Sequence, residues 1–308
     1  MSSKFKRAFS AIELSIVILI VGIVIVGITQ SGRLLQQFKI VSAQNLTDGA
    51  NSQIGAIKDL EMWLETTSNK SIAESESYDG ARVTNWYDIS PLRIEKHNAT
   101  GSGNSRPIYY ENCINDLPCL RFNGASFADG AYDKLDFDGS FLVGTDYTVF
   151  VVEQTDATTP GFFIGHMHTF GFENPNTGLE FGYVNNEKGL LRISHGYTQG
   201  EFYAVEIPTY SVKTPVMHTY TNGTIESGSV NLNYYFNGAD SASTKAAGTG
   251  TQPSTLVSYS QAAIGVKSSA YYFTGDIGEI IIFTRKLSDV ERATVSNYLL
   301  KKWSIKKG

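Results

Sequence analysis

A single long apolar segment stands near the amino terminus. Residues 14–32 carry no charged side chain, and Lys4, Lys6 and Arg7 precede them. A helix of this length spans about 28 Å, close to the thickness of the hydrocarbon core of a bilayer. The pattern predicts a transmembrane helix over about 14–32, and the basic residues before it favour a cytoplasmic amino terminus.

The apolar periodicity continues beyond this segment. Spacings of three or four residues, and one spacing of five, separate the apolar residues Leu34, Phe38, Val41, Leu46, Ala50, Ile54 and Ile57. Such a helix has one apolar and one polar face, as expected where a globular head covers one side. We therefore predict one long helix over 9–58, whose second half docks on the head.

From residue 59 onward the pattern changes to short strands separated by Gly, Asn, Ser and Asp clusters. The clearest candidates are 146–154, 179–184, 189–195, 230–238 and 278–284. The fourth alternates apolar and polar residues and ends in an Asn-Gly turn signal, whereas the first and last are apolar on both faces. The predicted fold class is α+β, with an antiparallel β-sandwich or jelly roll over 59–308.

The sandwich is followed by one predicted helix. Ser288 and Glu291 have the spacing of a capping box, and Lys301 and Lys302 stand in the predicted last turn. The buried stripe of this helix is predicted to be Val290, Val295, Tyr298, Leu299 and Trp303. This helix would close the β-domain.

Charge and cysteine content narrow the possible classes of protein. The chain has 308 residues, 18% of them charged, and a net charge of -5, which fits neither a basic nucleic-acid binder nor an acidic disordered tail. Its two cysteines, Cys113 and Cys119, would close a small disulfide loop in an oxidising compartment such as a periplasm. Two free buried thiols are the alternative.

The segment KRAFSAIELSIVILIVG, residues 6–22, resembles the amino terminus of type IV pilins and of type II secretion pseudopilins. The resemblance implies that residues 1–8 are a leader, which a prepilin peptidase removes between Ala8 and Phe9. It also implies methylation of the new amino group of Phe9 and places Glu13 at the fifth mature position. The resemblance to these proteins covers about the first 45 residues.

Glu13 needs a partner if it lies in an apolar environment. An unpaired carboxylate in hydrocarbon costs about 3 kcal/mol or more. The pilin resemblance implies that the partner is the terminal amine of a neighbouring subunit, which would set the axial register of a filament while the apolar side chains give cohesion. A carboxylate that reaches the lipid headgroups is the alternative.

The rest of the chain resembles the concanavalin A-like, laminin G-like jelly-roll family, from about residue 60 to the end. The stretches that carry the resemblance are EMWLE (61–65), VTNWYDIS (83–90), HNAT (97–100), RPIYY (106–110), LRFNG (120–124) and the ending FTGDIGEIIIFTRKLSDVERATVSNYLLKKW (273–303). Each is weak alone, and their order along the chain carries the similarity. The resemblance implies a sandwich with a ligand site at its loop rim.

The acid-rich stretch 127–140 is the predicted ligand site of the head. Its carboxylates offer hard oxygen ligands for calcium, and they are Asp129, Asp133, Asp136 and Asp138. Its aromatic residues Phe127 and Tyr132 could stack on a sugar ring. A solvated loop leading into the next strand is the alternative.

Catalysis and zinc binding have weaker support. Glycan-hydrolysing enzymes use paired acids on one face of a cleft, but Asp276 and Glu279 are three apart and would point to opposite faces of a strand. His166 and His168 would lie on one side of an extended segment, and His195 or His218 could join them, but no third zinc ligand is fixed by spacing. We predict no catalytic residues and no enzyme activity.

The predicted function is a subunit, of the minor kind, in a type IV pilus-like filament that displays the head for adhesion to glycans or other surface ligands. The expected partners are the prepilin peptidase, other pilin subunits, the inner membrane before assembly, and a glycan or protein ligand, but no nucleic acid. The precursor is expected in a bacterial inner membrane and the product at the cell surface. The alternatives are a periplasmic pseudopilin of a secretion system and a membrane-anchored glycan-processing enzyme.

Overall fold

The computed structural model describes twelve stretches of the chain. These are residues 11–124, 132–156, 161–166, 178–185, 190–195, 203–206, 211–224, 230–240, 245–246, 256, 259–267 and 271–308. They comprise a long amino-terminal helix, two β-sheets and a carboxy-terminal helix.

Helix α1 runs from Ala11 to Asn51 and is 41 residues long. It ends before the predicted residue 58, and the chain turns through 52–59 before the first strand. In this turn a Cβ atom on Gly55 would lie 2.3 Å from the ring of Pro91, so the backbone passes too close to the proline for a larger residue. Among the described residues, no helix combines the length and apolarity needed to cross a membrane, so the predicted transmembrane helix over 14–32 is not supported.

Two sheets face each other, as the alternating strand pattern predicts. Sheet A consists of β1 (Leu60–Glu65), β4 (Ile108–Ile114), β5 (Leu117–Asn123), β7 (Tyr147–Thr155), β12 (Val216–Thr224), β13 (Val230–Phe236), β14 (Ala239–Asp240) and β19 (Thr274–Phe283). Sheet B consists of β2 (Asn85–Trp86), β3 (Ala99–Thr100), β6 (Leu135–Phe137), β8 (Gly161–His166), β9 (Leu179–Asn185), β10 (Leu190–His195), β11 (Tyr203–Glu206), β15 (Lys245–Ala246), β16 (Ala262–Ile264), β17 (Val266–Lys267) and β18 (Tyr271–Tyr272). The predicted antiparallel β-sandwich is confirmed.

The sandwich has two apolar layers. The inner layer fills the space between the sheets and includes Trp86, Phe122, Val151, Phe163 and Ile280, all fully buried. The second layer lies on the other face of sheet A, under the helices, and includes Trp63, Phe150, Ile281, Leu299 and Trp303. Because both faces of sheet A are covered, β7 and β19 are apolar on both faces, as their sequences predict.

Strand β19 is central to sheet A. It pairs with β7 along one edge, and along the other it pairs first with β5 and then with β1. A β-bulge between Ile277 and Glu279 interrupts the alternation of side chains. The prediction that Asp276 and Glu279 point to opposite faces is therefore wrong: both lie on the helix side, Asp276 paired with Arg121 and Glu279 with the indole of Trp303.

Helix α2 (Asp289–Lys302) closes the helix side of sheet A. The capping box predicted from Ser288 and Glu291 is confirmed, with reciprocal bonds between each side chain and the other's backbone. Of the predicted buried stripe, Val290 is the exception: it is 77% exposed in the first turn, whereas Val295 and Leu299 are fully buried.

The two cysteines form the predicted disulfide. Cys113 and Cys119 lie on β4 and β5, which make a hairpin whose turn residues Asn115 and Asp116 have positive φ values. The amide of Asn115 donates to the carbonyl of Trp303, 2.6 Å away, which ties the turn to the end of α2.

Candidate functional site

The first half of α1 exposes an apolar surface on every side. Its large apolar side chains between residues 12 and 25 are 50% to 71% exposed, and they are Ile12, Leu14, Ile16, Val17, Ile18, Leu19, Ile20, Val21, Ile23, Val24 and Ile25. The hydroxyl of Ser15 donates to the carbonyl of Ile12, 2.8 Å away, so this polar group is satisfied within the helix. We call residues 12–25 the exposed apolar segment. A helix that is apolar all round is stable in water only when other apolar surface covers it.

The second half of α1 is fixed to the head, by which we mean the β-sandwich together with α2, within residues 59–308. Gln36 donates to the carbonyl of Glu111 at 3.1 Å, and Lys39 forms an ion pair with Asp116 at the tip of the disulfide hairpin. Further along, Thr47 is buried and hydrogen-bonds to the hydroxyl of Tyr298 on α2, 3.0 Å away. We call residues 36–51 the docked segment.

Small residues let the docked segment approach the head closely. Ala43 is 2% and Ala50 is 7% exposed, and both belong to the apolar layer under the helices. The nearby positions Ser42 and Asp48 are exposed. The predicted amphipathic second half, covered on one side by the head, is therefore present.

A buried network of charges lies beneath the docked segment. The ammonium of Lys302 is 2.7 Å from a carboxylate oxygen of Glu65 and 2.9 Å from one of Glu279, and all three side chains are fully buried. Glu279 also accepts from the indole nitrogens of Trp63 and Trp303, at 2.7 and 2.8 Å. The hydroxyl of Tyr298 donates to the same carboxylate at 2.9 Å, which links the network to α1 through Thr47.

The two carboxylates of this network differ in acidity. Burial alone would raise the pKa of Glu65, but the charge of Lys302 and hydrogen bonds from Lys302 and Thr67 lower it below its ordinary value. Burial raises the pKa of Glu279 above its ordinary value, and Lys302 opposes this only in part. The pKa of Lys302 is raised, because the charges of Glu279 and Glu65 outweigh the effect of burial. The site therefore favours the protonated, positively charged form of Lys302.

Neither acid on β19 is free to act on a substrate. Both oxygens of Asp276 accept from the guanidinium of Arg121, at 2.7 and 2.9 Å, and Glu279 is enclosed as described above. Burial raises the pKa of Asp276, and Arg121 opposes this shift. Although the bulge puts both acids on one face, the apolar layer and the helices cover that face. The absence of enzyme activity stays a prediction.

A cavity of about 600 Å³ opens on the outer face of sheet B, away from the helices. Strands β3, β6 and β16 form its base, where Thr100 pairs with Asp136 and Asp136 pairs with Ala263. Its lining residues are Asn98, Thr100, Lys134, Asp136, Phe137, Asp138, Ser260, Gln261 and Ala262. We call it the sheet B cavity.

The residues of the predicted ligand site are divided between this cavity and the core. Asp136 and Asp138 line the cavity, and Asp138 accepts from the backbone amide of Ser140 at 2.9 Å. Asp133 is buried instead, where it accepts from the amide of Asn123 at 2.9 Å and lies 3.5 Å from Arg82. Tyr132 stacks on the ring of Tyr272, 3.6 Å between centroids, so one of its faces is covered.

The other predicted site residues lie at the edge of or beyond what the structure describes. Ala8, Phe9, Phe127 and Asp129 lie outside the described residues, and Glu13 lies in the first turn of α1. The roles assigned to these five residues stay predictions.

Among the described residues, one group brings three candidate metal-ligand atoms within 4.8 Å, and it consists of the disulfide cysteines and Asp276. The described carboxylates Asp133, Asp136 and Asp138 form no such group. Of the histidines weighed for zinc, His166 lies 3.1 Å from Glu180 and His218 lies 2.9 Å from Glu153, while His168 is outside the described stretches. Calcium binding stays a prediction.

The sequence did not indicate Asn98, Thr100 or Gln261 as members of a site. They join Asp136 only because β3 and β16 flank β6 in sheet B. Strand order is not encoded in local periodicity, so no signal within the sequence could have brought them together.

No protein-family model matches this sequence, and no curated protein matches it. Among solved structures, Trypanosoma rangeli sialidase in complex with 2,3-difluorosialic acid is similar, with 14% identity, a TM-score of 0.50 and coverage of 88% of this chain and 39% of that chain. The same sialidase in complex with sialic acid has 15% identity and a TM-score of 0.48, covering 84% and 38%. The binding domain of botulinum neurotoxin DC in complex with rat synaptotagmin II has 14% identity and a TM-score of 0.48, covering 78% and 52%.

These similarities concern the fold alone. The chain spans about half or less of the length of each of these solved chains. At such identities the jelly-roll β-sandwich is shared, and nothing about activity follows. The predicted jelly roll is thus confirmed at the level of architecture, whereas the similarity to a pilin amino terminus has no counterpart among these structures.

Proposed function

We propose that this chain is a filament subunit, in which the exposed apolar segment packs against the same segment of other copies and the β-sandwich is displayed outside. One observation carries the proposal: α1 is fixed to the head over residues 36–51 and exposes apolar side chains all round over residues 12–25.

Burial of the exposed apolar segment supplies the cohesion of such a filament. Each large apolar side chain that leaves water contributes about 1.5–3 kcal/mol, whereas transfer from lipid to a helix bundle contributes far less. A Cβ atom on Gly22 would meet nothing within 4 Å, so this side of the helix is open to a neighbouring helix. Small residues at such positions let helices approach closely.

The pilin-like sequence around Glu13 supports a specific route of assembly. In this proposal a prepilin peptidase cleaves between Ala8 and Phe9, and the new amine of Phe9 pairs with Glu13 of an adjacent copy. The pair would neutralise two charges that become buried in the helix bundle and would fix the axial register. A precursor in the inner membrane and a product at the cell surface belong to the same proposal.

The head is proposed to contact glycans or other surface ligands as a minor subunit, without catalysis. Its concanavalin A-like, laminin G-like character is part of this proposal, since only the jelly-roll architecture is established. A pseudopilin of a secretion system is the second candidate, because the helix and processing site would be the same. The two differ in location: pilin filaments extend from the cell, and pseudopilin filaments stay in the periplasm.

Mass spectrometry of the mature amino terminus tests the processing step. We expect the mature chain to begin at methylated Phe9 and expect cells without prepilin peptidase to retain residues 1–8. A native chain that retains these residues would contradict the proposal.

Substitution of Glu13 tests the assembly step. We expect Glu13→Ala to abolish filaments in sheared or periplasmic fractions, because the terminal amine then has no buried counter-charge. Asp48→Ala is the matched control, since Asp48 is an exposed carboxylate on the docked segment of the same helix. Normal filament yield in both variants would refute the role of Glu13.

A further inference from the structure

The sheet B cavity has the size and lining of a small-ligand site. Its volume of about 600 Å³ lies within the range of roughly 300–1,000 Å³ that is usual for such sites. It differs from the exposed apolar segment in chemistry, because carboxylates, amides and hydroxyls line it beside apolar surface of similar extent. Nothing in the filament proposal uses these groups.

Hydrogen bonds within the protein already orient the polar walls. The side-chain oxygen of Asn98 accepts from the amide of Asp88 at 2.9 Å, which leaves the NH₂ group of Asn98 as the donor for a ligand. The hydroxyl of Thr100 donates to Asn85 at 3.2 Å and retains its acceptor capacity. Because these bonds hold the side chains before a ligand arrives, less conformational entropy is lost on binding.

The carboxylates are held in the same way. Asp136 forms an ion pair with Lys134, and one oxygen of Asp138 accepts from the amide of Ser140 at 2.9 Å. Each carboxylate can accept further hydrogen bonds, because an ionised carboxylate has about four acceptor positions. The exposed amide of Gln261 adds a donor and an acceptor from the β16 side.

The lining favours a ligand that is rich in hydroxyl groups. Hydrogen-bonding groups line the cavity beside apolar surface of similar extent, and its two apolar residues, Phe137 and Ala262, are only 5% and 0% exposed, so they form no deep apolar pocket. A peptide ligand would need apolar pockets for its anchoring side chains, which this lining does not offer. Vicinal hydroxyls of a sugar ring, by contrast, can bond to planar carboxylates and amides.

The charge of the lining narrows the class of sugar. Two carboxylates, Asp136 and Asp138, stand against one ammonium, Lys134, so the lining has a net charge of -1. An anionic sugar would bring its own carboxylate or sulfate toward like charges, which disfavours binding. An uncharged sugar meets no such penalty, and an amine-bearing sugar gains attraction.

We propose that the sheet B cavity binds a neutral or amine-bearing saccharide through Asn98, Asp136 and Gln261, and that it excludes sialylated and sulfated sugars. This inference rests on the proposed function in one respect, since it assigns a ligand class to the displayed head. Binding itself requires no filament, so the two can fail separately.

The test uses the full chain, unassembled, in a detergent that has no sugar headgroup. A printed panel of mono- to tetrasaccharides in neutral, amine-bearing and anionic groups is probed, and the affinity of each hit is measured by calorimetry. We expect hits only in the first two groups. A blank panel, or equal binding to lactose and to 3′-sialyllactose, would overturn the proposal.

Two variants then locate the site. We expect Asp136→Asn and Gln261→Ala each to weaken saccharide binding by about tenfold or more, because each removes hydrogen-bonding capacity from the lining. Asp289→Asn and Asn297→Ala are the matched controls, since both residues are exposed on α2, away from sheet B. Unchanged affinity in both cavity variants, with circular dichroism identical to wild type, would place binding elsewhere and refute the assignment.

The outcome is independent of filament assembly. If the mature chain does not begin at Phe9 but the panel shows the expected selectivity, the filament proposal fails and the saccharide site stands. If filaments form and the panel is blank, the filament proposal stands and the saccharide site fails.

Discussion

Among single residues, Lys302 is a fully buried ammonium between two buried carboxylates. Its ammonium neutralises one of two buried carboxylates and hydrogen-bonds to Glu65 and to the hydroxyl of Tyr298. Removal of such a partner leaves charge buried without compensation, which costs about 3–5 kcal/mol. We therefore expect Lys302→Met to lower the free energy of unfolding of the full chain by about 3–5 kcal/mol, measured by guanidinium denaturation in detergent.

Lys301 provides the control for this substitution. It precedes Lys302 on α2 and is exposed, so Lys301→Met should change the free energy of unfolding by no more than about 0.5 kcal/mol. Equal effects of the two substitutions would mean that the buried network does not stabilise the fold.

Glu291 makes the stability of the head depend on pH in the acid range. Hydrogen bonds from Arg285 lower the pKa of Glu291 from 4.5 to about 2. Because the folded pKa is depressed, this stabilisation is complete above about pH 4.5 and is lost as the pH falls toward 2. Glu291→Gln should therefore flatten the dependence of Tm on pH in this window and cost about 0.5–1 kcal/mol near neutral pH, since the pair is partly exposed.

The control for Glu291 is Glu74→Gln. Glu74 is an exposed glutamate whose carboxylate has no hydrogen bond among the described residues, and this variant should keep the wild-type slope. Parallel Tm curves for wild type and Glu291→Gln between pH 5 and pH 2 would contradict the role of the ion pair.

At the level of elements, the β4–β5 hairpin connects the head to α1. Its disulfide closes a loop with a sequence separation of six, and Asp116 at its tip pairs with Lys39 of the docked segment. A cross-link of this length stabilises by about 2 kcal/mol in the chain-entropy view. We expect the double substitution Cys113→Ala/Cys119→Ala to lower the free energy of unfolding by about 2 kcal/mol, as measured by denaturation. A reductant should lower the free energy of unfolding of the wild-type chain by a similar amount and should leave that of the variant unchanged.

The packing of the docked segment depends on small side chains. Ala43→Leu inserts three carbons into a contact that is 2% exposed and should cost about 1–3 kcal/mol. Ser42→Leu adds a similar side chain on the exposed side of the same turn and should leave the free energy of unfolding nearly unchanged. If Ala43→Leu were as well tolerated as Ser42→Leu, the close approach of α1 to the head would not be required.

Elements with a strong local signal were predictable from the sequence. The capping box at Ser288, the Asn-Gly turn after β13 and the two-sided apolar runs of β7 and β19 all depend on neighbouring residues. The bulge that moves Glu279 onto the face of Asp276 depends on pairing with β7, which no local pattern contains. The same limit hid the sheet B cavity, whose residues come from strands about 160 positions apart.

For the whole molecule, the described head contacts of α1 begin at Gln36, so the exposed apolar segment should be dispensable for folding of the head. We expect a chain that starts at Gln36 to be monomeric without detergent, with a Tm within about 3 °C of the full chain. The Tm is measured by calorimetry and the mass by light scattering.

A shorter chain that starts at Ser52 is the comparison. It lacks the docked segment and exposes the apolar layer around Leu117 and Leu299, so its Tm should fall well below that of the Gln36 chain. Equal Tm values for the two truncated chains would show that the docked segment contributes nothing to the head.

The hydrogen bond between Thr47 and Tyr298 and the one that Tyr298 donates to Glu279 have a mechanical consequence. They connect α1 to β19, which has paired neighbours on both edges. Part of any tension along the helix therefore reaches a strand whose backbone hydrogen bonds on both edges share the load, while Gln36 and Lys39 pass the rest to the β4–β5 hairpin at the margin of sheet A.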